Sequence, residues 1–249
     1  MRSHRNEVLI VAVQDRSCAT RETIIAGAAE VFEKSGYGRA SLIQVAERAQ
    51  VTKAALYFHF ASKQDLAKAV IEEQHRLVVH DGLTVLQEGR PALDAMIVMC
   101  REFGLRLLHD PVVRAGIRLT FEASSFGRSV REPYEDWIRV MENLATQAIT
   151  DGTIREGVAP SVLAKFVVAS FTGVQMVSDV RTGREDVMER IRDMWQILLP
   201  GILRDISQDR IGRLMALIPQ NCQAEPDAES SEFVGEMAPK PAARRMGQP

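Results

Sequence analysis

Within the eight positions from Thr52 to His59 the chain gathers a threonine, a lysine, a tyrosine and a histidine, with Ser41 ahead of them and Lys63 behind. Hydroxyl, ammonium, phenol and imidazole are hydrogen-bond donors, and donors on one short segment suit phosphate oxygens and the edges of bases. Lys53 can meet a guanine edge or a phosphate, while Thr52, Tyr57 and His59 can fix register on a nucleic-acid backbone. Ala54 sits among them and controls how closely the segment approaches a partner.

Catalytic constellations are missing from the sequence. Gly-rich phosphate loops, G-x-S-x-G elbows and paired-cysteine zinc spacings do not occur. Glu72 and His75 make one E-x-x-H step, but a di-iron bundle needs two such steps and two further carboxylates, and no second step exists. The expectation is a protein that is not an enzyme, with no cofactor and no metal.

The donors need elements to hold them. Leu42, Val45, Ala46 and Ala49 recur at helical spacing and leave Gln44, Glu47 and Arg48 wet. Ser41 is placed to cap this helix and Thr52 to cap the next, which starts at Lys53. Only Gln50 and Val51 lie between them, so the two helices must cross with Val51 in the elbow. Leu56 and the Phe58/Phe60 pair read as the anchors of the second helix, leaving Thr52, Lys53, Ala54, Tyr57 and His59 outward. Ser62 then caps a third helix and puts Lys63 in its first turn, beside amides that favour an anion. Together these features outline a helix-turn-helix unit able to enter a major groove.

Composition is compatible with a small reader and a larger second unit, since 249 residues can bury a sizeable core. The formal net charge of -2 argues against a generic polyanion binder. Locally, residues 16–70 carry eight basic side chains against five acidic ones, which two copies would double. The apolar run Val8 to Val13 is too short for a secretory signal, and nothing in the sequence is read as approaching a membrane span. Cys18, Cys100 and Cys222 are odd in number and far apart, which fits a reduced cytoplasm.

The run from Thr20 to Val70 resembles the N-terminal DNA-binding domain of the TetR family of transcriptional regulators. The resemblance rests on Thr20-Arg21, Ile24-Ile25, Ala28-Ala29, Phe32, Gly36-Tyr37, Ser41 and the block Val51 to Phe60. That block looks most like the gamma-butyrolactone receptor branch, where T-K-G-A-L-Y-F-H-F is usual; Ala54 departs from the glycine found there. The resemblance extends to roughly Arg16 to Arg204.

Beyond Val70 breakers and caps predict helix after helix, and the fold class expected is all-α. Helix four runs from Ser62 to about Val85, and further helices cover Ala92 to His109, Val112 to Phe121, Tyr134 to Asp151, Pro160 to about Val180 and Glu185 to Arg204. The division expected is a flexible extension over 1–15, the reader over 16–70, a helical ligand-binding and dimerisation unit over 71–218, and a disordered tail over 219–249.

Two apolar stripes stand out in the last strong helices. Phe166, Ser170, Gly173 and Val177 share one, and Met194, Trp195 and Leu198 share the other. Each reads either as internal core or as half of a two-fold four-helix interface; the family resemblance implies the second, and a homodimer would read a pseudo-palindromic operator. Helices four, five, seven and eight can enclose a cavity lined by Met, Val, Leu and Phe. The P-Y-x-x-W text at Pro133 to Trp137 resembles the pocket helix of butyrolactone receptors, so the resemblance implies Trp137 as a ring-packing residue, with Gln74 and Thr172 as polar contacts. The ligand so implied is a small hydrophobic lactone, butenolide or furan that releases the protein from DNA, in the control of secondary metabolism. The other reading is a TetR-type regulator that answers a drug, a fatty-acyl compound or an antibiotic intermediate.

Overall fold

The computed structural model describes residues 2–122 and 131–219, with side chains from residue 17 onward. Among the described residues it has ten α-helices and no strand, only an isolated bridge between Ile154 and Leu203. Residues 220–249 of the expected tail, and residues 123–130, lie outside the described residues.

Helix α1 (Arg2–Arg39) begins well before Thr20, so residues 2–15, expected to belong to a flexible extension, continue its backbone. Ile24, Ile25, Ala28, Ala29 and Phe32 form its buried face, a spacing that follows the helical repeat. Gly36, at φ 71° and ψ 167°, breaks the helix near its end. A side chain there would be strained and would also meet the Arg118 guanidinium and the Glu122 carboxylate. Helices α2 (Leu42–Arg48) and α3 (Lys53–His59) cross through a turn in which Gln50 takes φ 53°. With α1 and the start of α4 (Lys63–Gln87) they enclose a small core around Phe32, Leu56, Phe60 and Leu66.

The remaining helices are α5 (Ala92–His109), α6 (Pro111–Glu122), α7 (Glu132–Thr150), α8 (Pro160–Thr182), α9 (Val187–Ile202) and α10 (Gln208–Met215). They build a larger core around Met96, Phe103, Met141, Phe171 and Trp195. Helix α6 is shared: Ala115 and Leu119 complete the reader's core, while Val113 belongs to the larger one and Ile117 packs against it. It lies close to α4 because residue 116 is glycine, whose missing Cβ would stand 2.4 Å from Gln74 Cβ.

Helix α8 corrects the expectation about membrane spans. With 23 residues and a mean hydropathy of 1.4 in its most apolar stretch, it is long and apolar enough to cross a membrane by length and composition. In the fold it packs against both α7 and α9.

Candidate nucleic-acid interface and ligand cavity

The reader holds its outward side chains on short, capped helices. Ser41 and Gln44 form a reciprocal capping box: Ser41 Oγ accepts from the Gln44 amide at 3.3 Å, and Gln44 Oε1 accepts from the Ser41 amide at 2.9 Å. Ser41 Oγ also lies 3.0 Å from Gln44 Oε1, so this hydroxyl is engaged within its own helix start. Thr52 Oγ1 accepts from the Ala55 amide at 3.1 Å and caps α3, and its hydroxyl proton remains available to an outside acceptor. Thr52, Lys53, Ala54 and Tyr57 are exposed, and His59 is half-buried at the helix end. Lys53 Nζ stands 5.9 Å from the centre of the Tyr57 ring, which lines up a cation and a phenol on one face.

Two expectations about the reader fail. Phe58 is 81% exposed and does not anchor α3; Leu56 and Phe60 do. Its ring meets His59 edge-on at 5.1 Å, which adds an apolar surface to the outward face. Lys63 turns inward: Nζ donates to the carbonyls of Tyr37 at 2.8 Å and Ala40 at 3.0 Å, and sits 4.5 Å from the Tyr37 ring centre. The carbonyls left open where α1 ends hold the ammonium there.

Between α4, α5, α6, α7 and α8 lies a cavity of about 130 Å³. Gln74 and Trp137 line it as expected from the sequence. Trp137 is fixed by two other rings, Phe103 at 5.0 Å and Phe171 at 4.9 Å between centroids, so its indole face is presented by packing rather than by hydrogen bonding. Thr172 is not on the wall. Its hydroxyl donates to the Val168 carbonyl at 2.8 Å, the back-bond that a helical threonine readily makes.

The cavity also holds polar residues that sequence reasoning missed. Gln175, one turn beyond Thr172, is 3% exposed and its Oε1 has no hydrogen-bond partner. Tyr134, inside the P-Y-x-x-W text, leaves its Oη without one too. Burial pushes the Tyr134 phenol above its ordinary pKa, against a weaker opposing effect of the nearby Thr172 hydroxyl, so the group stays a protonated donor. In the sequence Gln175 is one of several polar residues on a mainly apolar helix, which reads equally well as a solvated position.

Glu72 pairs with Lys68 at 3.1 Å and His75 Nε2 lies 3.4 Å from an Asp136 carboxylate oxygen, so the two residues of the lone E-x-x-H step face different partners. Of the residues expected at a dimer interface, Phe166, Gly173 and Val177 are exposed, and Ser170, Met194 and Leu198 are half-buried. Trp195 is a correction: it is wholly buried in the larger core, beside the Cys100 thiol, whose pKa burial pushes up to about 12. The α9 stripe that carries Ile191, Trp195 and Leu199 faces inward. Val162, Val180 and Ile197 instead extend the exposed apolar surface of α8 and α9.

Residues 24–70 match the model of the bacterial regulatory proteins of the tetR family, and residues 90–204 match that of the tetracyclin repressor-like C-terminal domain. The chain is 38% identical over 192 residues to the A-factor receptor protein of Streptomyces griseus, covering 77% of this chain and 67% of that one. The structure of a gamma-butyrolactone receptor (ArpA-like protein) is similar with a TM-score of 0.68 and 30% identity, over 82% of this chain and 96% of that one. A structure described as the molecular basis for control of antibiotic production by bacterial hormones is similar with a TM-score of 0.70 and 36% identity, over 74% and 98% of the two chains.

Proposed function

We infer that the chain, which belongs to the tetR family of bacterial regulatory proteins and to its gamma-butyrolactone receptor branch, is a repressor that a small hydrophobic signal releases from its operator. The ligand class proposed is a lactone, butenolide or furan, and the setting is control of secondary metabolism in the cytoplasm, by likeness to the relatives just described. The observation that carries this reading is the cavity around Trp137, one wall of which is α4, the helix whose first turns also belong to the reader's core.

The working division is a reader over 16–70 and a ligand and dimerisation unit over 71–218. The reader presents Thr52, Lys53, Ala54, Tyr57 and His59, with Phe58 beside them; Ser41 supports the cap. Two copies joined through the exposed faces of α8 and α9, with Phe166, Ser170, Gly173 and Val177 opposite Met194 and Leu198, would read a pseudo-palindrome with half-sites about one DNA turn apart. A ligand that prefers one tilt of α4 changes the separation of the two α3 helices. A coupling of about 1–3 kcal/mol changes operator affinity roughly 5- to 150-fold.

An operator recovered by selection from random duplexes provides the test. Lys53→Ala and Tyr57→Ala should each weaken its binding in gel shifts while the dimer persists by gel filtration. Trp137→Ala should bind it normally and resist release by an alkyl-γ-butyrolactone. Unchanged binding by both reader variants would remove α3 from the interface, and unchanged release would remove Trp137 from the ligand site.

A further inference from the structure

The outward face of α3 divides into two stripes of opposite chemistry. Residues four apart in a helix lie one above the other. Lys53 and Tyr57 make one such pair, with Lys53 Nζ 5.9 Å from the Tyr57 ring centre. Ala54 and Phe58 make the other. Both are exposed, and Phe58, at 81%, is the most exposed large apolar side chain of the reader among the described residues.

Several polar side chains around these stripes are committed within the fold. Ser41 and Gln44 serve each other at the start of α2, Thr52 Oγ1 accepts the Ala55 amide, and Lys63 Nζ donates to carbonyls where α1 ends. Lys53 is the sole lysine or arginine of α3. One ammonium and one phenol read few base edges, so the rest of the discrimination falls to the apolar stripe. The major groove offers that stripe one apolar feature, the 5-methyl group of thymine, and alanine and phenylalanine are side chains that contact it. The first turn of a recognition helix is the part that meets base edges. Ala54 is the second residue of α3, directly after Lys53, where a glycine would present only backbone. Phe58 stands one turn further on with its ring edge-on to His59, 5.1 Å between centroids, so a small side chain is followed by a large flat one.

We propose that Ala54 and Phe58 are specificity-determining residues of the operator contact, and that they select a thymine in each half-site by burying its 5-methyl group beside the base or phosphate met by Lys53. The proposal rests on the reading of α3 as the operator-binding helix and deepens it.

The test uses the full-length protein and the operator recovered by selection, with each thymine in turn replaced by uracil in both half-sites. The exchange removes the methyl group and keeps the hydrogen-bonding edge. At one thymine position the parent should bind the uracil duplex roughly 15-fold more weakly, which is roughly 4-fold for each buried methyl. Ala54→Gly should erase most of this ratio, and Phe58→Ala should lower it. Each ratio is taken within one variant, so the weaker helix of Ala54→Gly cancels. Lys53→Ala should weaken the thymine and uracil duplexes alike and keep the parent's ratio. Far-ultraviolet circular dichroism would show that the variants remain folded. A parent that binds every uracil duplex as tightly as the thymine one would overturn the proposal, as would a ratio that either Ala54→Gly or Phe58→Ala leaves unchanged. Indifference to uracil together with loss of binding in Lys53→Ala rejects the methyl contact and leaves the repressor reading standing. Equal operator binding by the parent, Lys53→Ala and Tyr57→Ala rejects α3 as the reader, and the proposal with it.

Discussion

In the reader, the hydroxyls of Ser41, Thr52 and Ser62 each accept a backbone amide at the start of a helix, and Lys63 satisfies carbonyls where α1 ends. In the larger unit, Asp94, Tyr134, Gln175 and Trp195 each bury a polar atom that has no partner; among the described residues no side-chain atom of the reader does so. Each such atom costs about 1–3 kcal/mol. The contrast separates a surface that must meet DNA in one fixed shape from a core that keeps unmet needs, two of them on the wall of a cavity. Among the described residues, the reader's buried side-chain polar atoms are all satisfied within the fold, and four of the larger unit's are not.

The sharpest attack on this contrast removes a large side chain from the less satisfied core. Trp195→Ala should cost about 3–5 kcal/mol in urea unfolding despite the unpaired indole N–H, because Trp195 is wholly buried. A loss under about 1 kcal/mol would mean that the indole is poorly held and that the larger unit is loose rather than merely unpaired. Gly116→Ala should cost about 1–3 kcal/mol, since the added methyl overlaps Gln74 Cβ. It should also loosen ligand binding at the Gln74 wall more than it loosens operator binding; the reverse order would place the strain in the reader.

Thr52→Ala should cost about 1 kcal/mol of stability and lower operator affinity, with lactone binding unchanged. An effect on both sites would show that the cap is not local to the reader. The smallest effect expected is one of pH. Burial pushes the Asp186 carboxyl up, but hydrogen bonds from Ser178, Thr182 and Arg190 outweigh this and hold its pKa below the ordinary value. The stability this adds is complete above the unfolded-chain value of about 3.9 and is lost as pH falls through the lower folded value. Asp186→Asn should therefore melt at a lower temperature than the parent at pH 7, with the gap closing below about pH 4. A gap of constant size across that range would show that the hydrogen bonds, and not the charge, carry the effect.

The limits of helices were legible where punctuation was strong. Pro91 and the Asp110-Pro111 pair fixed α5 from Ala92 to His109, as Asp110 Oδ1 accepts the Val112 amide at 2.9 Å to start the next helix. The short α10 escaped because eight residues give too little periodicity to rise above the polar segment around them. Stripe reasoning put Phe166, Gly173 and Val177 together on α8, where all three are exposed, but misplaced Trp195, because periodicity identifies a shared face and not which neighbour covers it. The reader's outward set was largely legible because a seven-residue helix with two fixed anchors has few ways to turn. The cavity was less so: Gln74 and Trp137 followed from resemblance, whereas Gln175 and Tyr134 matter through an absent partner, which no residue type announces.

The sharing of α6 between two cores has a consequence for how the protein comes apart. Its Ala115 and Leu119 side seals the reader, and Val113 on the same short helix is buried in the larger core. Heating therefore cannot melt one unit and spare the other without tearing this helix from a surface it covers. Calorimetry of the whole chain should give a single cooperative transition, and a fragment ending at residue 70 should be a poor module to transplant, since it arrives without the lid on its own interior.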